Sequence, residues 1–389
     1  EEYKDKGLQV EYVRYVNDDN GNLQLETYLM GGGDVDLFIG YGGRTKMDKR
    51  VDSNLLLDMS GMLNDIGFNL DDELGVANMA EYHYDDGAVY GFPTKYENSR
   101  WILINEDMFK EAGLDIPYDG WTYSEFLADA EKLTHGEDQD KVYGVCWARK
   151  QSGKSILYAL DGVLGANQIY KNEEGTEVNF DNDVYRAGLN LVKETLDKGY
   201  AIPIEDEFSE DISVANTFLQ GKCAIMLGVA QMRLCMDQEN YPHDFMTALV
   251  PAPVPDDEKY NTEFYRKQIG TTGAGDLLSI SANTKYPEAS FEFAMWYLKG
   301  GMSPLVQGGR IPLWNGVNKD EVLSVLKEKA QGSIDMDSME NYLSLDTTQG
   351  VAAIKGHASS EISSAWFEEF DAMCYGKQSV DQTEHGEER

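Results

Sequence analysis

The stretch Asp86–Thr134, DGAVYGFPTKYENSRWILINEDMFKEAGLDIPYDGWTYSEFLADAEKLT, contains the local signals that decide the fold. Trp101–Ile104 is an apolar run of four residues, which is too short for a helix and predicts a buried strand. The helix Asn105–Gly113 is predicted from its ends, because asparagine is a favoured N-cap residue and glycine readily takes the left-handed conformation that follows a helix. The range Thr122–Glu125 has the T-x-x-E spacing of a capping box and precedes an apolar helix face. A buried strand followed by two helices is therefore predicted.

Strands and helices also alternate along the rest of the chain. An amphipathic helix is predicted over Val184–Lys198, and strands are predicted over Leu8–Val16, Cys223–Leu227 and Leu277–Ser281. This alternation indicates the layers of an α/β protein. The length of 389 residues indicates two or more domains, because single hydrophobic cores stop growing near about 250 to 300 residues.

The composition argues against several classes of function. The formal net charge is −36 at pH 7, whereas nucleic-acid phosphates bind basic surfaces, so nucleic acid is not an expected partner. No apolar run approaches the roughly 18 residues that a membrane span needs. The four cysteines have neither C-x-x-C nor metal-ligand spacing, which predicts free thiols, with a disulfide as the alternative: Cys146, Cys223, Cys235 and Cys374. No metal, cofactor or catalytic residue is predicted.

Several motifs follow one another in the order that they have in a known protein family. They are Gly32–Phe38, Gly87–Pro93, Asn105–Leu114, Trp121–Phe126, Phe218–Met226, Leu278–Phe293 and Gly376–Asp381. This order resembles that of the extracellular (periplasmic-type) solute-binding proteins of carbohydrate ABC importers, family 1, a group that includes maltose-binding protein. Two of these motifs depart from the family pattern, since Val35 stands where proline is usual and Ile225 is inserted before the methionine.

The resemblance implies an α/β fold of the two-lobed periplasmic-binding-protein type (type II-like), with three hinge crossings and a ligand cleft between the lobes. The implied N-terminal lobe comprises residues 1–103 and 251–302, and the C-terminal lobe comprises residues 104–250 and 303–389. The implied function is capture of an oligosaccharide by hinge closure and delivery to the transmembrane subunits of an ABC permease. The expected protein is an extracellular, lipid-anchored monomer without enzymatic activity.

Two loops of the implied N-terminal lobe contain candidate ligand contacts. Tyr41 and Arg44 follow the carboxyl end of a strand predicted to be parallel, and ligands of open α/β sheets bind outside such ends. A turn tyrosine and a solvated arginine are the alternative. Lys95, Tyr96 and Glu97 place a cation, a ring and a carboxylate in one loop, which is the mixture that sugar hydroxyls and the sugar C–H face require.

Three tryptophans and one amide complete the predicted site. Trp147 stands at the carboxyl end of the predicted strand Val142–Trp147 and is the leading candidate for stacking on a sugar ring. Trp314 lies in a loop beside Arg310, with hinge packing as its alternative. Gln231 stands where the resembled family commonly has an aromatic residue. Trp366 belongs to the last long helix, where core packing is the alternative to ligand contact.

Two other functions fit parts of the sequence. The acidic composition is compatible with binding of a polyamine or a metal cation. A glycoside hydrolase needs two carboxylates about 5 to 10 Å apart, and the 69 acidic residues allow such a pair without identifying one. No G-x-S-x-G nucleophile elbow occurs.

Overall fold

The computed structural model describes residues 7, 9–14, 19–40, 43–79, 82–96, 100–149, 163–164, 169–209, 212–227, 231–267, 276–301, 303–345 and 359–385. The β-strands of this part of the chain are β1 (Leu37–Gly40), β2 (Phe92–Pro93), β3 (Lys95–Tyr96), β4 (Trp101–Asn105), β5 (Tyr143–Cys146), β6 (Cys223–Leu227), β7 (Thr247–Pro251), β8 (Leu277–Ile280) and β9 (Ile311–Pro312).

The α-helices of the same residues are α1 (Asp19–Met30), α2 (Gly43–Asp52), α3 (Ser60–Asp65), α4 (Leu70–Leu74), α5 (Val76–Met79), α6 (Glu106–Glu111), α7 (Tyr123–Leu133), α8 (Asp183–Asp197), α9 (Ile204–Ser209), α10 (Met232–Cys235), α11 (Glu263–Arg266), α12 (Pro287–Trp296), α13 (Ser303–Val306), α14 (Lys319–Ala330), α15 (Met336–Leu343), α16 (Ser359–Cys374) and α17 (Val380–His385). Asp138–Asp140 is a 3-10 helix, and Val214–Phe218 and Tyr297–Gly301 are π-helical. In the described part of the chain, no helix combines the length and the apolarity needed to cross a membrane.

The local signals around β4 are confirmed. The Asn105 side chain accepts a hydrogen bond from the Met108 backbone N–H at 3.1 Å and so caps α6. Gly113 follows this helix with φ +68°, the conformation that favours glycine. Thr122 and Glu125 form the predicted capping box, in which the Thr122 N–H donates to the Glu125 carboxylate at 2.7 Å. The start of α7 is therefore fixed by its own sequence.

The predicted strand Leu8–Val16 is not present in the described residues. Residues 9–14 have no regular structure and are exposed, with Tyr12 84% accessible. A strand is stable only when its backbone groups are paired with a neighbour. No strand of the described chain is paired with residues 9–14, so their high β-propensity does not produce a strand.

The described chain divides into two units with separate cores. Unit 1 comprises Glu1–Tyr96, Ala274–Val306 and Arg310–Asn318. Unit 2 comprises Glu97–Gly273, Gln307–Gly309 and Lys319–Arg389.

These limits differ from the predicted boundaries at residues 103, 251 and 302. Strand β4 belongs with unit 2 because it is paired there with β6 and β7. The chain after β7 also stays in unit 2, where Val254 bridges to Thr122. The loop that contains Trp314 belongs to unit 1, because β9 is paired with β3.

Unit 1 contains short antiparallel strands. Its described strands form one sheet in the order β1-β8-β2 and a second pair, β3-β9. Because β1 is paired antiparallel with β8, the expectation that Tyr41 follows a strand in parallel pairing is not met within the described residues. The core of this unit packs helices against β1 and β8, with Leu29, Met59, Leu74 and Phe92 almost completely buried.

Unit 2 is organised by a four-stranded sheet in the order β5-β6-β4-β7. Strand β4 is antiparallel to both of its neighbours, and β5 is parallel to β6. Helix α7 covers one face and buries Phe126, Ala130 and Leu133. Trp121, immediately before this helix, donates its indole N–H to the Pro251 carbonyl at 2.9 Å and so connects the helix to β7.

The capping box of α7 can be tested with substitutions at Thr122. We expect Thr122→Ala to lower the free energy of unfolding of unit 2 by about 1 kcal/mol, because the hydroxyl that accepts the Glu125 N–H is lost. Thr122→Ser is the matched control, since it removes the methyl group and keeps the hydroxyl. Urea unfolding of the full chain measures both changes. Equal losses for the two variants would contradict a contribution from the cap.

The close approach of β5 to α7 can be tested at Gly144. A Cβ at this position would lie 2.3 Å from the Ala130 carbonyl oxygen and 2.8 Å from its Cα, so we expect Gly144→Ala to destabilise unit 2 by about 1 to 3 kcal/mol. The control is Gly61→Ala in α3, where an added Cβ meets nothing within 4 Å and where alanine improves helix propensity. Thermal unfolding compares the two. A stable Gly144→Ala variant would contradict this packing.

Candidate ligand-binding site

The predicted ligand contacts divide between the two units. Arg44, Lys95, Tyr96 and Trp314 belong to unit 1, and Trp147, Gln231 and Trp366 belong to unit 2. Tyr41 and Glu97 lie outside the described residues. Each unit therefore has its own group of predicted contacts.

Trp314 is a half-buried indole with a fixed orientation. It follows β9, and the preceding residue, Leu313, donates its N–H to the Thr94 carbonyl at 3.0 Å. The indole Nε1 donates to a Glu73 carboxylate oxygen at 2.7 Å. A Cβ added at Gly316 would lie 2.2 Å from Cζ2 of the indole, which means that the ring is seated against the backbone there. This tryptophan combines partial exposure with restraint on two sides.

Lys95 and Tyr96 form strand β3, which is paired with β9. The Lys95 ammonium is 2.7 Å from a carboxylate oxygen of Asp276, and both side chains are largely buried. Tyr96 is half-buried and packs against the core of unit 1. The register pairs Lys95 with Pro312, two residues before Trp314. Lys95 and Tyr96 thus lie on a two-stranded ladder, and Trp314 follows its second strand by two residues.

Arg44 lies in a second polar group of unit 1. Its Nε is 2.5 Å from the Asp48 carboxylate, its Nη1 donates to the His83 carbonyl at 2.9 Å, and its guanidinium lies 3.8 Å from the centre of the Tyr84 ring. The Tyr84 hydroxyl also donates to Asp48 at 2.6 Å. Burial, together with this hydrogen bond, raises the pKa of Tyr84 well above its ordinary value, so the phenol stays a neutral donor. Arg44 is therefore a restrained cation and not a freely solvated one.

The five-residue helix α4 contacts both polar groups. Its first turn is capped by the Asn69 side chain, which accepts the Asp71 N–H at 2.9 Å. The Asp71 carboxylate is 2.9 Å from Nε2 of His83, whose carbonyl binds Arg44. Glu73, on the same helix, accepts the indole N–H of Trp314. The helix therefore links the Arg44 group to the Trp314 group.

A pocket of about 420 Å³ adjoins this helix. Its lining combines apolar side chains with amide, carboxylate and imidazole groups. The lining residues are Ser60, Leu63, Asn64, Gly67, Phe68, Asn69, Leu70, Asp71, His83, Gly87 and Val89. Sequence reasoning did not identify any of these residues as site residues. The asparagine before an acidic first turn predicts a helix start at residue 69, but no local signal pairs Asp71 with His83.

Trp147 and Trp366 are core residues of unit 2, which corrects the prediction that they contact the ligand. Trp147 is 3% exposed, donates its indole N–H to the Thr195 hydroxyl at 2.9 Å and packs against Phe126. Trp366 is 4% exposed and stacks on Phe370 with ring centres 5.3 Å apart. A strand end or a long helix positions a tryptophan equally well for the core, and here burial of the large apolar ring decides its place.

Gln231 is half-buried at the start of α10. Its side-chain oxygen accepts a hydrogen bond from Nη2 of Arg233 at 3.1 Å. Residues 228–230, which precede it, lie outside the described residues. When the oxygen of an amide accepts a hydrogen bond in this way, its NH₂ group can donate to an acceptor such as a hydroxyl.

The chemistry of the unit 1 groups suits a neutral polyhydroxylated molecule. An indole face provides an apolar plane, and the neighbouring carboxylates, amides and cations provide donors and acceptors. Over the residues that the structure describes, no group of three or more His, Cys, Asp or Glu side chains is arranged to hold a metal ion.

Solved structures of other proteins have the same fold. A sugar transporter from Rhizobium etli in an open conformation is 18% identical, with a TM-score of 0.71 and coverage of 99% of this chain and 91% of that chain. An ABC substrate-binding protein from Listeria monocytogenes in complex with cycloalternan is 16% identical, with a TM-score of 0.73 and the same coverage of both chains. The sugar-binding protein MalE from Xanthomonas citri is 15% identical, with a TM-score of 0.65 and coverage of 99% and 89%. These likenesses confirm the predicted α/β periplasmic-binding-protein fold.

The sequence comparisons identify the family. No match to this sequence is found among curated proteins. The sequence profile of the bacterial extracellular solute-binding proteins matches residues 1–299, which is well over half of the chain. This chain therefore belongs to the family of bacterial extracellular solute-binding proteins.

Proposed function

We propose that this solute-binding protein captures an oligosaccharide by hinge closure and delivers it to an ABC permease. The observation that carries the proposal is the half-buried indole of Trp314, which is held by Glu73 and the Gly316 backbone and follows the strand that is paired with Lys95 and Tyr96. A preoriented aromatic plane with polar neighbours is the arrangement that binds a sugar ring and its hydroxyls. The cycloalternan complex of the protein from Listeria monocytogenes supports the choice of ligand class.

The contacts that we propose in unit 1 are Trp314, Tyr96, Lys95 and Arg44, with Tyr41 and Glu97 as further candidates. In unit 2 we propose Gln231. Trp147 and Trp366 are not proposed, because their rings are buried in the core. The proposed partners are the transmembrane subunits of the permease, to which a monomeric, lipid-anchored protein at the cell surface would present its ligand. The family description as extracellular supports this location.

We further propose that the protein has no catalytic activity of its own. Members of its family bind solutes. Prolonged incubation with oligosaccharides tests this point. If reducing ends appear in proportion to protein concentration, the protein is a glycoside hydrolase and this proposal is wrong.

The ligand class can be tested by thermal unfolding with a panel of neutral sugars. The panel contains maltotriose, cellotriose, xylotriose, triacetylchitotriose and cycloalternan, with spermidine and ATP–magnesium as controls. A sugar present at 100 times its Kd is expected to stabilise the folded chain by about 2.7 kcal/mol, which raises the Tm by a few degrees. If no sugar stabilises the folded chain, the proposal is contradicted. If spermidine stabilises it and no sugar does, a cation is favoured as the ligand.

The role of Trp314 can be tested with variants of the ring and of its support. We expect Trp314→Ala to weaken binding of the active sugar about tenfold, because the apolar plane is lost, and Trp314→Phe to retain most of the affinity. Gly316→Ala displaces the ring without removing it and should also weaken binding. The control is Trp296→Phe, because Trp296 is also a half-buried indole of unit 1 and packs on Phe293. Isothermal titration calorimetry measures all four, and unchanged affinity in Trp314→Ala would exclude this tryptophan from the site.

A further inference from the structure

A buried carboxylate from α9 holds the turn that follows β5. Glu207 is 0% exposed. One of its oxygens accepts the Ala148 N–H at 3.2 Å and lies 3.7 Å from the Cys146 sulfur, and the other accepts the Arg149 N–H at 2.5 Å. A fully buried carboxylate is costly unless such donors surround it. These contacts make Glu207 the main polar restraint on residues 147–149.

The backbone of this turn needs such a restraint. Ala148 has φ +51°, in the left-handed region that residues with a side chain rarely adopt. A conformation of this kind persists only when the surrounding structure fixes it, and it is found most often at functional sites. The hydrogen bonds from Ala148 and Arg149 to Glu207 fix the peptides on both sides of the strained residue.

The turn also connects β5 to the C-terminal part of unit 2. Arg149 donates from Nε and Nη2 to the two carboxylate oxygens of Asp371 at 2.7 and 2.9 Å. Its guanidinium lies 4.6 Å from the centre of the Phe367 ring. Both partners are on α16, so the orientation of the turn at Ala148 decides whether Arg149 reaches this helix.

We propose that Glu207 is a positioning residue of the ligand site, which fixes the turn 147–149 at the exit of β5 and holds it more firmly when its carboxyl group is ionised. The inference rests on the proposed function, because β5 is paired in parallel with β6 and ligands of open α/β sheets bind outside the carboxyl ends of such strands. Neither the proposed contacts nor the family assignment includes this residue.

The ionisation of Glu207 falls in the physiological range. Burial raises the pKa of this carboxyl from its ordinary value of 4.5 to about 7, against the opposing effect of the backbone donors. An ionised carboxylate accepts stronger hydrogen bonds than a protonated one. The described titratable or charged groups near it are Cys146 and Cys223 on β5 and β6, Arg149 in the turn, and Asp371 and Cys374 on α16.

Two of these neighbours, the thiols of Cys146 and Cys374, do not change charge near neutral pH. A hydrogen bond with Cys223 and burial raise the pKa of the Cys146 thiol, and burial raises that of Cys374 well above its ordinary value. Both thiols therefore stay neutral, and Asp371 is held in a bidentate pair with Arg149. The loss of a titration near pH 7 from this cluster in Glu207→Gln would therefore identify Glu207 as its source.

The ligand-free test follows the backbone amides of the turn by NMR of the deuterated full chain between pH 5 and 9. The variants are Glu207→Gln and, as the matched control, Glu205→Gln, which is exposed on the same helix. We expect the Ala148 and Arg149 amide resonances to titrate with a midpoint of about 7 in the wild type and in Glu205→Gln, and not in Glu207→Gln. The proposal is overturned if these resonances do not titrate in the wild type, or if they still titrate in Glu207→Gln.

Unfolding as a function of pH gives a second ligand-free readout. Because the folded-state pKa of Glu207 lies above its value in the unfolded chain, the folded state holds this proton more tightly. The contribution of Glu207 to the free energy of unfolding is complete below about pH 4.5 and is lost as the pH rises through about 7. Glu207→Gln should remove this part of the pH dependence, whereas Glu205→Gln should keep it.

The ligand arm uses the sugar of the panel that raises the Tm. At pH 8 we expect Glu207→Gln to bind it about tenfold more weakly than the wild type, and at pH 5.5 the difference should shrink, because the protonated carboxyl resembles the amide. A loss that is equal at both pH values indicates a merely structural role and overturns the proposal, as does unchanged affinity. If no sugar binds the wild type, the proposed function fails, and the amide titration alone decides whether Glu207 fixes the turn.

Discussion

Strand β4 imposes the constraint on which unit 2 depends. All five residues of Trp101–Asn105 are buried, and the strand is hydrogen-bonded on one edge to β6 and on the other to β7. Buried backbone groups must be paired, so a strand in this position needs two partners. Those partners lie more than 100 residues along the chain. The long segment between β4 and these partners therefore folds back onto the sheet, and its helices cover the apolar faces of the sheet.

The polar features of unit 2 follow from this tightly packed sheet. Gly144 allows β5 to approach the backbone of α7, and β5 is in turn paired with β6. Two residues after β5 ends comes the strained Ala148, and the peptide groups on both sides of it donate hydrogen bonds to the buried Glu207. Dense packing leaves few conformations for this exit, and a single carboxylate selects one of them. The same packing explains why the Trp147 indole lies in the core.

Unit 1 positions its polar groups by a different means. Its strands β2, β3 and β9 are only two residues long, so they provide little rigidity by themselves. The short helix α4 compensates, because its Asp71 and Glu73 side chains contact the Arg44 group through His83 and the Trp314 group directly. Side chains that are restrained before binding lose less conformational entropy when a ligand arrives. This arrangement supports the proposal that the polar groups of unit 1 contact a sugar.

The sequence by itself determined the features whose causes lie within a few residues. The Asn105 cap, the left-handed Gly113, the Thr122–Glu125 capping box and the strand Cys223–Leu227 all follow from local conformational preferences. The tertiary structure decided the rest. It buried Trp147 and Trp366, left residues 9–14 unpaired, assigned β4 to unit 2, and brought Glu73 to Trp314 and Glu207 to Ala148. Those outcomes depend on contacts between distant segments, and residue type alone does not specify which segments meet.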